Sequence, residues 1–387
     1  MAAVLALGGG PGALGLLAAL MLGAGAAAAV AGAPFVDRLP RRPLMIAADI
    51  GRSLALAAVA AAALAHRLDL TGLCVAAVVV SALGVMFDAA DHAILPALVS
   101  REQLTAANAR LGAVDAAAEM AGPALGGGLF SLVAPPIALA VTAVTYLVSA
   151  AFLGAIRARP ARLGTRAPFD LDFTAGFRAC LGHALVRPLL LASLGSGFFG
   201  AFFAALYVLF SLTVLSLSPA MLGLTIAAGG LGALAGAAAA PWAARVLGPG
   251  PAIVATRLAG GLAALLVPLA GGSPSAAMAV LVLSQLVGDA LNTIGLIGAT
   301  SLRQAVLPPS LLGRTSSAFL AGQGLAGTLG ALAAGALAAR VGVRETLYIA
   351  AAGVTVSSLI TLASPLRALR ETPEAETLEA QTLEAKP

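Results

Sequence analysis

The chain has 387 residues, of which 60% are apolar and 10% carry a charge, whereas about 25% of the residues of an ordinary soluble domain are charged. Too few polar side chains remain to coat a folded surface of this size, so most of the exterior must face lipid. This composition excludes one large soluble globule. The two cysteines, Cys74 and Cys180, exclude a disulfide framework and a four-thiolate zinc site.

Long stretches without charged residues predict membrane-spanning helices, because a helix needs about 20 mostly apolar residues to cross the hydrocarbon core. Proline and glycine turns, such as Pro135-Pro136, divide the longest stretches. The sequence therefore predicts an all-α membrane protein with about eleven transmembrane helices. The predicted spans are 12–33, 43–65, 71–93, 111–132, 136–156, 188–214, 220–243, 252–270, 276–299, 316–338 and 345–364.

Basic residues alternate between the predicted connections, and this alternation sets the orientation of the chain. Most of the 22 basic residues lie in every second connection, which places them on one side of the membrane. Arg67, Arg340 and Arg344 lie on the other side. Arg245 and Arg257 follow the majority. Because basic loops face the cytoplasm, we expect a multi-pass protein of a bacterial inner membrane with a cytoplasmic C-terminus. The net charge of +5 is spread over several connections with few aromatic residues, which argues against nucleic acid as a partner.

A polar interruption at 157–187 divides the chain into two transmembrane halves. Residues 1–156 form an N-terminal half of about five helices, and residues 188–366 form a C-terminal half of six. Within the interruption, apolar residues recur at helical spacing among charged ones, which predicts an amphipathic helix on the membrane surface. Residues 367–387 are too polar to fold alone, and we expect a disordered cytoplasmic tail.

The two halves look related to each other. Asp37-Arg38-(x)4-Pro43 is similar to Arg245-Val-(x)4-Pro251, and parallel repeats of this kind occur in transporter folds. The apolar stretch before the second copy is long enough for two helices, whereas the stretch before the first copy is about one helix shorter. We therefore expect the first half to lack most of its first helix, in a shortened version of a twelve-helix protein.

Four motifs occur together along the chain. They are Val36-Asp37-Arg38-Leu-Pro-Arg41-Arg42-Pro, Leu95-Pro-(x)4-Arg101-Glu-Gln-Leu-(x)3-Asn108, Gly122-Pro-Ala-Leu-Gly126-Gly127 and Ser301-Leu-Arg-Gln-Ala-Val-(x)5-Leu312-Gly-Arg314. From about Gly12 to Arg370 the sequence resembles the major facilitator superfamily, and more narrowly its bacterial exporters, which include enterobactin and macrolide efflux permeases. The resemblance implies a helical bundle of two pseudo-symmetric halves that rock around a central cavity, coupled to an ion gradient.

The first motif resembles the cytoplasmic gate of the family. The resemblance implies that an acidic side chain caps a neighbouring helix and locks the halves together, while basic side chains hold this gate. The matching residues are Asp37, Arg38, Arg41 and Arg42. Ala33 and Pro40 stand where the motif usually has glycine, so the turn departs from the family pattern. The alternative is that the arginines only anchor the loop by the positive-inside rule.

The third motif resembles the signature of antiporters, and hence of exporters. Pro123 removes one backbone hydrogen bond and kinks its helix, while Gly122, Gly126 and Gly127 allow close contact with another helix. Such a hinge suits a helix that rocks. The alternative is an ordinary packing face of small residues.

Ionisable side chains at membrane depth are functional candidates by default, because each costs about 2.5–3.5 kcal/mol on insertion scales. Asp289 lies in the middle of a predicted span near Asn292. One interpretation is that it carries a proton or contacts substrate. The alternative is that its carboxylate is hydrogen-bonded by Asn292. Asp115 and Glu119 share one helix face, where they either hold a proton or pair with an arginine such as Arg110.

Six of the aromatic residues cluster on the predicted span 188–214, among them Phe199, Phe203 and Tyr207. An aromatic wall suits a bulky amphipathic solute in a cavity. The alternative is that part of the cluster faces lipid.

The sequence shows no sign of catalysis or of a metal cofactor. It holds no Walker A, H-E-x-x-H or G-x-S-x-G motif, so we expect neither an ATP-driven pump nor a hydrolase. Asp88, Asp91 and His92 have no fourth ligand within reach by spacing, so we expect no metal site. A proton gradient is the energy source that remains, and we expect no cofactor.

Together these features predict a secondary active transporter, monomeric in the lipid bilayer, that exports a hydrophobic drug-like compound or a siderophore in exchange for protons. Two alternatives stay open. One is an importer of a small metabolite. The other is a truncated membrane protein that assembles or signals without transporting.

Overall fold

The computed structural model describes residues 8–98, 103–156 and 173–371 of the chain. Every regular element in these ranges is helical, which confirms the all-α prediction. The helices are α1 Pro11–Arg38, α2 Arg41–Leu64, α3 Leu70–Leu98, α4 Leu104–Leu132, α5 Pro135–Ala155, α6 Phe173–Gly182, α7 Val186–Leu209, α8 Pro219–Leu247, α9 Pro249–Ala264, α10 Pro274–Val306, α11 Pro309–Val341 and α12 Val343–Leu362. Short helical turns follow α7, α9 and α12 at Phe210–Val214, Leu266–Leu269 and Pro365–Ala368.

Each predicted span corresponds to one long helix. Within the described ranges, 10 helices are long and apolar enough to cross a membrane. The remaining long helix is α4, in which Asp115, Glu119 and several glycines dilute the apolar residues. The short helix α6 lies where the sequence predicts an amphipathic helix, and the predicted disordered tail lies almost entirely outside the described residues.

Proline and serine set several of the helix starts. Pro219 and Pro274 occupy the first turns of α8 and α10. Backbone N–H groups of the first turn have no acceptor within the helix, so a proline there removes no helical hydrogen bond. The residue before each of them is a serine, and its hydroxyl oxygen accepts a hydrogen bond from a backbone N–H of the first turn, at 3.2 Å in α8 and 3.3 Å in α10. Short polar turns are thus sufficient to reverse the chain between these long helices.

The helices pack in two groups. In the first group, α2 packs against α3 and α5, and α1 packs against α3. In the second group, α10 packs against α8 and α9, while α7 packs against α11 and α12. The two groups meet mainly where α1 crosses α11 and where α4 crosses α8. The limits of the two halves given above stay a prediction.

Short connections make successive helices antiparallel, so the bundle has two ends. We call the end at which α1 is followed by α2 and α8 by α9 the basic end; it holds Arg42 and Arg245. At the opposite end, Arg344 at the start of α12 donates hydrogen bonds to the carbonyl oxygens of Pro268 and Ala270, at 2.6 and 2.8 Å. This arginine ties α12 to the segment that follows α9.

Glycines make the closest approaches between the two groups. A Cβ added to Gly15 of α1 would lie 2.6 Å from the carbonyl oxygen of Ala331 and 2.7 Å from the Cα of Gly335, both in α11. A Cβ added to Gly127 of α4 would lie 2.9 Å from the Cα of Gly223 in α8. Both crossings lie in the half of the bundle away from the basic end, and both depend on the absence of side chains.

A buried ion pair stabilises the first group. Arg52 of α2 contacts the carboxylate of Asp49 at 2.5 Å, and its guanidinium lies 4.6 and 4.5 Å from the ring centres of Phe87 and Tyr146. Asp49 is only 1% exposed. Each charge alone would have an uncompensated desolvation penalty inside the bundle, and the ion pair offsets that penalty.

Replacement of Arg52 by leucine is expected to destabilise the protein by about 3–5 kcal/mol, because it leaves a buried carboxylate without its partner. The double variant Asp49→Leu/Arg52→Leu is expected to recover most of that loss, since no charge stays buried. Unfolding of the purified variants in detergent measures both effects. An equal loss in the single and double variants would mean that the aromatic contacts of Arg52, rather than the ion pair, are what stabilises the site.

Candidate functional site

A cavity of about 560 Å³ lies inside the second group of helices, lined by α7, α9, α10, α11 and α12. We call it the α10 cavity. Its larger polar side chains are Tyr207, Arg257, Gln285, Asp289, Asn292 and Gln323, and its hydroxyl groups belong to Ser193, Ser196, Thr256, Ser284 and Ser358. The volume suits a small organic solute.

The sequence of α10 explains why this helix lines the cavity. Gln285, Gly288, Asp289, Asn292 and Gly295 all line it, and they recur at steps of three and four residues, so they share one helix face. Three of them carry polar groups and two are glycines, so this face offers hydrogen-bonding groups and open space rather than apolar bulk.

Several hydroxyl groups of the cavity donate to backbone carbonyl oxygens. Thr256 donates to Ala252 at 2.7 Å, and Ser284 donates to Ala263 at 3.3 Å. The hydroxyl of Ser358 lies 2.9 Å from the carbonyl oxygen of its own preceding turn. Since their hydrogens are used within the protein, these hydroxyls present mainly acceptor lone pairs to the cavity.

Asp289 fits against a glycine of the neighbouring helix. A Cβ added to Gly229 of α8 would collide with the Asp289 carboxylate and would lie 3.3 Å from Nε2 of Gln285. No described basic side chain forms an ion pair with Asp289. The glycine therefore makes room for a carboxylate that has no cationic partner among the described residues.

Of the three predicted acidic candidates, Asp289 lines the α10 cavity, whereas Asp115 and Glu119 do not. Glu119 of α4 lies within electrostatic range of Asp289. A Cβ added to Gly230 of α8 would lie 3.1 Å from the Cα of Met120, the neighbour of Glu119 in sequence. Asp289 and the segment of α4 that holds Glu119 therefore contact neighbouring glycines of α8. Asp115 lies outside the cavity lining, whereas Asn292 is part of it.

Two of the three predicted cavity aromatics line the cavity. Phe203 and Tyr207 contribute to its wall, and the hydroxyl of Tyr207 bonds to Thr225 of α8 at 3.4 Å. Phe199 does not line it, because its ring packs against Gly353 of α12. Phe199 is also four residues from Phe203, so spacing along the helix does not separate the three; the Phe199 ring is instead directed at Gly353, which has no side chain to block it.

Arg257 is a charged cavity residue that sequence reasoning missed. The alternation of arginines predicts Arg257 in a cytoplasmic connection, but the structure places it inside α9 with its side chain at the α10 cavity. Its Nε is buried and has no hydrogen-bond partner among the described residues. A signal was present in the sequence, since the predicted span 252–270 already contains this arginine.

The predicted gate residues lie around the connection between α1 and α2. Asp37 and Arg38 are the last residues of α1, and their side chains lie outside the described part of the structure. Arg41 and Arg42 begin α2. Arg42 donates from Nε to the carbonyl oxygen of Leu153 in α5 at 2.8 Å and also bonds to the next carbonyl. Its described contacts are therefore within the first group, and the gate stays a prediction.

The predicted hinge motif of α4 divides between two faces. Gly127 lies at the crossing with α8, and a Cβ added to Gly223 of α8 would collide with the carbonyl oxygen of Pro123. A Cβ added to Gly122 or Gly126 would meet no atom within 4 Å. Pro123 and Gly127 thus belong to the contact between the halves, and the rocking role of the motif stays a prediction.

Among the described side chains, no group of three or more histidine, cysteine, aspartate or glutamate residues is placed to hold a metal ion. Asp88 and Asp91 lie near the end of α3, and the side chain of His92 is outside the described part.

Residues 2–331 match the Major Facilitator Superfamily, and the chain belongs to this family. Its fold is similar to that of a bacterial homologue of the iron transporter ferroportin in an inward-facing state, with a TM-score of 0.65, 19% identity, and coverage of 91% of this chain and 90% of that chain. It is also similar to the nucleoside transporter NupG, with a TM-score of 0.71, 13% identity, and coverage of 93% and 92%. A bacterial metal transporter matches with a TM-score of 0.56, 18% identity, and coverage of 91% and 97%. No curated protein matches the sequence.

Membership of this family makes the chain a multi-pass membrane protein and a secondary transporter, and the family is not one of enzymes. The solved structures share the fold at low sequence identity, so they do not determine the direction of transport or the substrate of this protein. The narrower resemblance to exporters stays a prediction.

Proposed function

We propose that this transporter exports an amphipathic organic solute in exchange for protons. The observation that carries the proposal is the α10 cavity, which has the volume for such a solute and places the Asp289 carboxylate against it without a described cationic partner. A carboxylate in this position can take up a proton when solute leaves and release it when solute binds. The cavity is lined by residues of a single chain, which fits a transporter that works as a monomer.

The contacts between the halves support alternating access. The α1/α11 and α4/α8 crossings are made by glycine surfaces away from the basic end. Small residues let the backbones of facing helices approach closely without interlocking side chains, so these two contacts can close tightly in one state of the transport cycle. Rocking of the two halves about these crossings would expose the cavity to each side of the membrane in turn.

Export is favoured by the antiporter-like motif of α4, of which Pro123 and Gly127 lie at the contact with α8. The distribution of arginines favours an inner-membrane protein with its basic end in the cytoplasm. The solute would then enter the cavity from the cytoplasm or the inner leaflet.

A second candidate function is import of a small polar metabolite. The polar lining of the α10 cavity favours it, as does the likeness of the fold to a nucleoside transporter. The polar lining also narrows the first proposal, since it suits an amphipathic solute better than a purely apolar one.

Accumulation of fluorescent amphipathic dyes in a bacterial host that lacks its own efflux pumps distinguishes the two functions. Expression of the exporter is expected to lower the steady-state dye content of energised cells, and a protonophore is expected to abolish the difference. A higher content in expressing cells would instead support import. An unchanged content for every dye in the panel would count against both proposals.

A further inference from the structure

We infer that the solute of the α10 cavity is an organic anion or zwitterion whose acidic group is bound by Arg257, with hydrogen-bond donors or a cation at its other end facing Asp289. This inference rests on the proposed function, because it takes the α10 cavity as the transport site. It replaces the apolar drug-like solute with a solute that carries charge.

The side chain of Arg257 is deep in the bundle. The residue lies in the middle of α9, whose bounds are Pro249–Ala264, and its side chain lines the cavity. A Cβ added to Gly295 of α10 would lie 3.5 Å from Cγ of Arg257. The aliphatic part of the arginine therefore passes over this glycine, and the guanidinium reaches the cavity.

Other buried or partly buried arginines of the chain have partners that Arg257 lacks. Arg52 has a carboxylate, Arg344 has two carbonyl oxygens, and Arg303 lies 4.4 Å from the centre of the Phe319 ring. The buried Nε atoms of all three of Arg52, Arg257 and Arg303 lack a hydrogen-bond partner among the described residues. Arg257 differs because the rest of its guanidinium also has no carboxylate, carbonyl or aromatic ring of this kind among the described residues. The cavity thus contains a guanidinium whose Nε contacts no acceptor among the described residues.

A desolvated guanidinium without a partner is unfavourable, and an anion that enters the cavity offsets this penalty. The planar guanidinium can donate two parallel hydrogen bonds to a carboxylate or a phosphate. The hydroxyl groups of the cavity cannot replace such an anion, because they carry no negative charge to offset that of the guanidinium. An acidic group is therefore the ligand that completes this site.

Asp289 and Arg257 lie at separate points of the cavity. Arg257 meets α10 at Gly295, six residues beyond Asp289, which is about 9 Å along a helix axis. Asn292 lies between them on the same face, and no ion pair joins the two charges. This separation leaves room for a solute that contacts both charges, with Phe203 and Tyr207 as its apolar wall.

Binding of a matched pair of probes to the full-length protein in lipid nanodiscs tests this assignment. Dansylglycine carries a carboxylate, and dansylglycinamide is its neutral counterpart. Wild-type protein is expected to bind the carboxylate roughly tenfold more tightly than the amide, the factor that a charge-assisted hydrogen bond supplies. Arg257→Gln is expected to lose this preference while it binds the amide as wild type does.

Two further variants separate recognition from misfolding. Arg257→Lys keeps the positive charge and is expected to retain part of the preference. Arg245→Gln removes an exposed arginine near the end of α8 and is expected to retain all of it. The assignment is overturned if wild-type protein shows no preference for the carboxylate, or if the preference persists in Arg257→Gln. Displacement of dansylglycine by inorganic phosphate with equal affinity would also overturn it, because the site would then serve a small inorganic anion.

Transport of the same probes separates this inference from the proposed function. If proteoliposomes move the amide and the carboxylate equally well under a proton gradient, the transport proposal stands and the role of Arg257 falls. If the carboxylate preference depends on Arg257 but no probe moves in any gradient, the anion site stands and the proposed function falls.

Discussion

Replacement of Asp289 by asparagine is expected to lower gradient-driven transport by at least about tenfold while solute binding stays close to that of wild type. The amide has nearly the shape of the carboxylate and fits against Gly229 in the same way, but it cannot take up and release a proton. Initial rates in proteoliposomes with an imposed pH gradient measure the loss. Exchange of labelled for unlabelled solute without a gradient is expected to continue, because exchange needs no net proton movement.

Glu345→Gln is the matched control for this variant. It neutralises an exposed carboxylate in the first turn of α12, away from the α10 cavity, and is expected to transport as wild type does. If Asp289→Asn still accumulates solute against its gradient at the wild-type rate, then Asp289 does not couple transport to protons, and Glu119 of α4 becomes the carboxylate to test.

A disulfide between positions 23 and 328 is expected to stop transport. A Cβ added to Gly23 of α1 would lie 3.3 Å from Oγ1 and 3.4 Å from Cγ2 of Thr328 in α11, and the Cβ of Thr328 lies more than 4 Å from it. The β-carbons are therefore near the upper end of the separation of about 3.5–4.5 Å that a disulfide needs. The cross-link would hold the α1/α11 crossing closed. If the halves must separate there, oxidation abolishes transport and a reducing agent restores it.

The cross-link is made in a background in which the two native cysteines, Cys74 and Cys180, are replaced by alanine. The single variants Gly23→Cys and Thr328→Cys, treated with the same oxidant, control for the chemistry and for the changed side chains. Transport at the full rate by a completely cross-linked protein would contradict separation of the halves at this crossing.

The helices could be predicted from the sequence because helices that face lipid contain few charged residues, so long uncharged stretches mark them. Each predicted span corresponds to a helix of the structure, and the prolines that begin α8 and α10 mark their limits in the sequence. The alternation of arginines predicts Arg257 in a cytoplasmic connection, and this prediction was wrong. Arg52 and Arg257 lie inside helices, since the bundle offers the first a carboxylate and the second a cavity.

The candidate site was predictable where residue type alone carries the information. An aspartate in the middle of an apolar span, such as Asp289, stands out in any sequence, and an aromatic pair with the spacing of Phe203 and Tyr207 shares one face. The glycines that admit these side chains do not stand out. Among so many glycines, only the packing of α8 against α10 shows that Gly229 makes room for a carboxylate.

The most direct test of gradient-driven export is uptake of a labelled amphipathic anion, such as dansylglycine, into everted membrane vesicles that contain this protein. Energised vesicles are expected to concentrate the probe above its external level, to lose it when a protonophore collapses the gradient, and to fail to concentrate it when they contain Asp289→Asn. Uptake that only equilibrates the probe, at the same rate with and without a gradient, would contradict secondary active export.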